Sequence, residues 1–311
     1  MEIVLQVVLL VIGFAMLVYG ADWFVDGSAG VAAKFGIPQL VIGLTIVAMG
    51  TSAPEAAVSI TAALKGSADI TVGNVVGSNI LNVLIILGLA SVITSIAVAK
   101  STIRIEIPWM LAITAMLMIF GITGNQIVWW EGILLLVVFA AYIYYTLQLA
   151  KKNPEKTEEE EKQRPVWKLI LLILVGLGFI VGGSNISVEA ASNLARFFGL
   201  SEKFIGLTIV ALGTSLPELF TSVTAARKGN ADIAIGNIVG SNIFNILFVV
   251  GLSAVITPVA FVSSFVIDCL VSFGAGVLLW LFVLKKQKLT RVGGVTMLIA
   301  YAAYFVYLII M

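Results

Sequence analysis

The chain reads as a succession of apolar stretches, each about twenty residues long, separated by short polar or charged breaks. A run of that length lets an α-helix cross the hydrocarbon of a bilayer. Ten such runs occur, at 3–23, 39–64, 70–96, 104–122, 128–148, 168–190, 203–226, 233–257, 260–284 and 291–310. One stretch breaks the pattern. Lys151 to Arg164 holds Pro154 and four consecutive glutamates, Glu158, Glu159, Glu160 and Glu161, and has no large apolar residue, so it reads as a solvated linker. The first run is kept as a span because Glu2, with no basic residue, precedes it, which is the wrong polarity for a cleaved signal. The expected fold class is therefore an all-α integral membrane protein with ten transmembrane helices. A first five-helix unit covers 1–150, a linker 151–167, and a second five-helix unit 168–311, all within one membrane domain.

Composition agrees with the pattern. Of 311 residues, 60% are hydrophobic and 11% charged, with a mean hydropathy of +1.11, far from the mixture of a soluble domain. No histidine is present, which excludes imidazole-based zinc sites, Ser-His or Cys-His nucleophiles and histidine proton relays. The single cysteine, Cys269, lies in an apolar run and reads as inert packing. A net charge of +1 indicates no nucleic-acid partner. Membrane lipid is the expected surrounding, and no obligate protein partner or cofactor is indicated.

The placement of charge carries more than its sum. With ten spans, fifteen of the eighteen basic residues fall on the side of the linker, and only Lys65, Arg196 and Lys203 on the other. Basic residues collect on the cytoplasmic side of membrane proteins. The expected arrangement is a multi-pass protein of the cell membrane with a cytoplasmic linker and both termini outside.

The chain also repeats itself. Residues 43–82 laid on 206–245, a shift of 163, match at 28 of 40 positions without a gap. Gly50-Thr51-Ser52-Ala53-Pro54-Glu55 returns as Gly213-Thr214-Ser215-Leu216-Pro217-Glu218, and Gly73-Asn74-Val75-Val76-Gly77-Ser78-Asn79-Ile80-Leu81-Asn82 as Gly236-Asn237-Ile238-Val239-Gly240-Ser241-Asn242-Ile243-Phe244-Asn245. Five spans per copy is odd, so the second copy enters the membrane from the opposite face. Inverted repeats of this kind characterise secondary transporters whose substrate site lies where the halves meet. Duplication for stability alone would keep apolar patterning, yet the most faithful matches are Gly, Pro, Ser, Thr, Asn and Glu.

Pro54 and Pro217 lack an N–H and clash with the carbonyl four residues back, so each helix is expected to break or kink there. The carbonyls affected belong to Gly50 and Gly213, and those of Ala48 and Ala211 come within the same disturbance. Glu55 and Glu218 follow at mid-span, where an isolated charge costs at least about 2.5–3.5 kcal/mol. Ser52 and Ser59 flank Glu55 at helical spacing, as Ser215 and Ser222 flank Glu218. Asn74, Ser78 and Asn82 share one helix face, as do Asn237, Ser241 and Asn245. Asn74, Asn237, Asn79 and Asn242 read equally as interhelical glue or as ligands; Ser78, Asn82 and their mates read as ligands. The pooled donors are carboxylate, hydroxyl, amide and backbone carbonyl oxygens. Such sites suit hard cations like Ca²⁺ and Na⁺. Two carboxylates balance one Ca²⁺ and repel each other when empty, so exchange of Ca²⁺ for monovalent ions or protons is the expected reaction.

Other acids lie in or near the spans. Glu106 and Asp268 lie near the starts of their spans and read as interfacial or helix N-terminal. Asp22, Asp26 and Glu189 read as interfacial, and Glu131, after Trp129 and Trp130, as part of an aromatic belt.

At these motifs the chain resembles the sodium/calcium exchanger family of the calcium/cation antiporter superfamily, whose paired alpha-repeats the doubled segments match. The resemblance implies a secondary active transporter that works by alternating access, with Na⁺ sites around a Ca²⁺ site and Ca²⁺ extrusion driven by the sodium gradient. It implies no enzyme activity. Carried over by position, it puts metal ligands at Glu55, Glu218, Ser52, Ser215, Thr51, Thr214, Ser78, Ser241, Asn82 and Asn245, with carbonyls near Ala48 and Ala211. One departure is Asn245, where many members carry aspartate, so that here Asn82 and Asn245 are symmetric. Two transport alternatives stand beside this reading, an H⁺/Ca²⁺ antiporter and a cation channel. The proton-coupled relatives usually show a Gly-Asn-X-X-Glu type of motif instead. An intramembrane enzyme is weakest, since no nucleophile–base pair is visible.

Overall fold

The computed structural model describes residues 2–66, 68–152, 154, 165–199 and 211–310. Among these, eight helices are long and apolar enough to cross a membrane, and a bent pair makes a ninth span. The expected seventh span falls partly outside the described residues; what is described of it is helical, over Ala211–Thr214 and Leu216–Arg227. Most of the expected linker, with its four glutamates, also lies outside them.

The first and sixth spans differ most from their apolar runs. They are helices Glu2–Phe35 and Val166–Phe197, each running well beyond its expected end. The extensions carry polar residues such as Asp26, Asn193 and Arg196, which remain within the helices. The two helices pack along their length through glycines spaced seven apart. A Cβ on Gly13 would fall 2.9 Å from the carbonyl oxygen of Gly183, one on Gly20 2.8 Å from that of Gly176, and one on Gly27 2.9 Å from that of Leu169. Ascending numbers on one helix meet descending numbers on the other, so the pair is antiparallel. Because the 163 shift carries Gly13 onto Gly176 and Gly20 onto Gly183, equivalent helices run in opposite directions. The repeat is therefore inverted.

Two short ladders follow the same approximate symmetry. Ile96–Ala97 pairs antiparallel with Lys288–Leu289, and Gln126–Ile127 pairs antiparallel with Val259–Ala260. Each half thus gives one strand to each end of the molecule and receives its partner from the other half.

The second span is broken: Gln39–Thr51 and Ala53–Leu64 meet at a 50° bend. The interruption sits at Ser52 (φ −81°, ψ 8°) and recurs at Ser215 (φ −89°, ψ 1°). Both fall two residues before the prolines, which occupy the opening turn of the following helix, where a missing N–H costs nothing. The third span, Ile70–Ile93, and the eighth, Ala231–Ile256, form the centre; in the hydropathic stretch of the eighth, 83% of residues are buried. Both loosen into a π-helical segment that begins at the motif asparagine, over Asn82–Leu87 and Asn245–Val250. Such segments recur at functional sites. The remaining described spans, Thr102–Gly124, Trp129–Lys152, Ser264–Lys286 and Arg291–Ile310, surround this core.

Candidate cation-binding site

The two broken spans and the two central helices bring the repeated motifs together. Glu55 and Glu218 each follow a Ser break and a Pro, in the opening turn of the second half-helix. A helix N-terminus favours negative charge. Both glutamates are completely buried, and they lie within electrostatic range of each other.

The hydroxyls around them cross between the halves. Ser52 Oγ donates to Glu218 Oε1 at 2.7 Å. Thr214 comes into hydrogen-bond reach of Glu55, and Thr51 of Glu218. Ser78 Oγ lies 3.5 Å from Glu55 Oε1, at the outer limit of a hydrogen bond. The Ala48 carbonyl accepts from Ser241 Oγ at 3.3 Å and lies 3.3 Å from Thr51 Oγ1, so it lies among the motif side chains. Gly240 permits this closeness: a Cβ there would sit 2.6 Å from the Leu44 carbonyl oxygen and 2.8 Å from the Ala48 Cβ. The helical backbone of Ala211 starts the described part of its span.

The asparagines divide into two groups. Asn79 and Asn242 are reciprocal glue, each side-chain amide donating to the other's backbone carbonyl at 3.2 Å. Their Oδ1 atoms accept from Asn245 Nδ2 at 3.2 Å and Asn82 Nδ2 at 2.9 Å. Those two bonds fix the orientation of Asn82 and Asn245. Asn74 and Asn237 brace the broken helices by donating to Ser59 Oγ at 2.9 Å and Ser222 Oγ at 2.8 Å. The Asn237 Oδ1 also accepts from Thr51 at 2.9 Å. For these four residues the interhelical role is the one observed.

Of thirteen buried side-chain oxygens without a hydrogen-bond partner among the described residues, four are carboxylate and amide oxygens of the repeated motifs: Glu55 Oε2, Glu218 Oε2, Asn82 Oδ1 and Asn245 Oδ1. The hydroxyl of Ser215 is likewise unpaired. A buried acceptor without a donor costs about 1–3 kcal/mol, more when charged, and natural folds rarely leave several in one place. Here they form two symmetric sets, a carboxylate and an amide oxygen from each repeat. All four are hard oxygen donors that a cation would satisfy.

Comparison with known proteins agrees with this geometry. A family model described as sodium/calcium exchanger protein matches residues 5–148 and again 168–310. The chain belongs to the sodium/calcium exchanger family. Among relatives, the exchanger is 38% identical over 308 residues to the putative antiporter CaxA of Alkalimonas amylolytica, covering 96% of both chains. It is 30% identical to the sodium/calcium exchanger MaX1 of Methanosarcina acetivorans, covering 98% of this chain and 99% of the other. Among solved structures it matches the sodium-calcium exchanger NCX_Mj, soaked with Na⁺ and Sr²⁺, with a TM-score of 0.86 and 32% identity over 98% of this chain and 99% of that one. The family consists of transporters rather than enzymes.

Other acids of the exchanger have defined partners. Glu106 lies in the opening turns of its span, is fully buried and accepts a hydrogen bond from the Tyr145 hydroxyl. Asp268 is half-buried and accepts from Tyr304 at 2.7 Å. A tyrosine on another span supplies each carboxylate with one donor, and Glu106 Oε2 has no partner among the described residues. Glu131 is also buried, its Oε2 accepting the Val128 N–H at 2.9 Å, so it caps a helix start. Asp22 and Asp26 pair with Lys228 at 3.1 and 2.8 Å. Ser184 lies outside the repeated motifs. Its hydroxyl donates to the Gly213 carbonyl at 2.6 Å, occupying the oxygen that Pro217 leaves without an amide partner.

Proposed function

We propose that this protein exchanges Na⁺ for Ca²⁺ across the cell membrane by alternating access, with Ca²⁺ extruded as Na⁺ runs inward. The observation that carries the reading is the set of unpartnered oxygens on Glu55, Glu218, Asn82 and Asn245, facing a common need for a cation inside a membrane bundle. In this reading the two glutamates hold Ca²⁺. Ser52, Ser215, Thr51, Thr214, Ser78, Ser241 and the carbonyls of Ala48 and Ala211 complete the oxygen shells for Ca²⁺ and Na⁺.

Competition couples the ions. An empty pair of carboxylates repels itself, and one Ca²⁺ or several Na⁺ relieve that repulsion equally well in charge. A site that is neutral when loaded and strained when empty crosses more readily loaded, which is what exchange requires. The inverted halves supply the two faces, because a change that opens one repeat outward opens its mate inward. The two stretches matched by the family model support treating 1–150 and 168–311 as equivalent units joined by a linker over 151–167. The lopsided basic residues support a cytoplasmic linker and outward termini.

Calcium-45 uptake into vesicles under imposed Na⁺, K⁺ or pH gradients tests the reading. Uptake that follows the Na⁺ gradient is expected. Uptake that follows only the pH gradient would make it an H⁺/Ca²⁺ antiporter, and uptake without any countertransported ion would favour a channel.

A further inference from the structure

A cavity of about 330 Å³ opens between the fourth and ninth spans, at the end of the molecule richest in basic residues. Its walls come from both halves. Lys100, Ile103 and Arg104 belong to the opening turns of the fourth span, and Trp280, Leu284 and Gln287 to the end of the ninth. The junction is bonded together. Trp280 Nε1–H donates to the Ile103 carbonyl at 2.7 Å, and the Val98 N–H donates to the Gln287 carbonyl at 2.8 Å. Gln287 itself ends the ninth helix in the left-handed region, at φ 50°.

Three features set the electrostatics. Lys100 and Arg104 stand one helical turn apart and are both exposed. The fourth span begins here, so its positive end faces the same place. No acidic residue occurs in 94–105 or 284–295, and among the described residues no carboxylate pairs with Lys100 or Arg104. The 163 shift puts Ser263 where Lys100 stands and Ile267 where Arg104 stands. The architecture therefore holds at the opposite end without these cations. Ordinary cytoplasmic bias accounts for basic residues such as Lys285 and Lys286, which do not line the cavity. It does not account for two cations on the rim of a built recess.

We propose that this cavity binds a phosphate-bearing anion, in the membrane the headgroup of an anionic phospholipid. Lys100 and Arg104 hold the phosphate, Arg104 through paired N–H donors, and the Gln287 amide supplies a further polar contact. Exposed Ile105 and Leu281 continue from the recess along the lipid-facing surface, where acyl chains would lie. The bound lipid would bridge the two halves at one end only.

The test uses the full-length protein in nanodiscs of phosphatidylcholine with a minor share of phosphatidylglycerol, with retained lipid counted by native mass spectrometry. The wild type is expected to retain phosphatidylglycerol preferentially. Lys100→Gln with Arg104→Gln should weaken retention about fivefold per charge removed, or about 25-fold together. Lys285→Gln with Lys286→Gln removes the same charge beside the recess and should cost less than about fivefold. Lys100→Arg with Arg104→Lys keeps the charge and should keep the lipid, which separates loss of the site from loss of the fold. Displacement by millimolar glycerol phosphate would identify a soluble phosphate as the occupant of the same recess. Equal losses in the two Gln pairs, or no preference for phosphatidylglycerol in the wild type, would overturn the proposal.

Discussion

Replacing Glu218 by Gln removes one charge from the candidate site and almost nothing else. The amide keeps an oxygen that can still accept from Ser52, whose hydroxyl lies 2.7 Å from Glu218 Oε1, and its volume is unchanged. What disappears is half of the negative charge that faces the cation. Deleting one partner of a buried charge interaction costs about 3–5 kcal/mol, which corresponds to roughly 10²–10⁴-fold weaker Ca²⁺ binding. Ligand binding stabilises a fold by RT ln(1 + [L]/Kd), about 4.1 kcal/mol when Ca²⁺ is a thousand times its Kd. At the same Ca²⁺ concentration, a variant with a thousandfold higher Kd gains only about 0.4 kcal/mol. The empty protein should respond in the opposite direction, because Glu55 no longer faces a second carboxylate. Thermal unfolding of the detergent-solubilised protein, with and without Ca²⁺, reads both effects. The expected result is an ion-free variant at least as stable as the wild type and nearly indifferent to Ca²⁺. A Ca²⁺-induced shift equal to that of the wild type would refute the assignment of Glu218 to the site.

Three further outcomes follow from particular contacts. Ser52→Ala should destabilise the ion-free protein by about 1.5–3 kcal/mol, the value of a hydrogen bond to a charged group. Ser215→Ala should cost much less by the same unfolding assay, since its hydroxyl has no partner among the described residues. Asn245→Asp adds a third carboxylate to the site and should tighten Ca²⁺ on the order of tenfold, measured by calorimetry, because affinity follows ligand charge. Gly183→Leu places a Cβ 2.7 Å from the Gly13 carbonyl oxygen and should cost about 1–3 kcal/mol, whereas Gly178→Leu, with nothing within 4 Å among the described residues, should be tolerated.

Much of the candidate site was legible because the chain states it twice. The polar repeats identified Glu55, Glu218 and their serines without any knowledge of packing, and the structure brings Ser52 against Glu218 across the halves. The break in the second span was also legible, although its position was not. Proline favours the first turn of a helix, so the chain bends at Ser52 ahead of Pro54 rather than at the proline. Other features leave no local signal. The π-helical segments that begin at Asn82 and Asn245 have no counterpart in the hydropathy pattern. The Glu106–Tyr145 and Asp268–Tyr304 pairs join residues on different spans, a separation that no spacing rule captures. Hydropathy ended the first span near residue 23, yet the helix continues to Phe35, because a helix needs apolar residues only where lipid surrounds it.

The paired two-residue ladders have a consequence for assembly. Each strand of Ile96–Ala97 and Gln126–Ile127 finds its partner in the other half, as do Ser52 and Asn82. Neither half alone would satisfy its own backbone edges or its own polar interior, and both would carry those unmet bonds in lipid. All of these contacts join described residues outside the connection between the halves. Two polypeptides cut within 151–164 and made together should therefore recognise each other, pair and recover a working bundle, while either made alone should not persist.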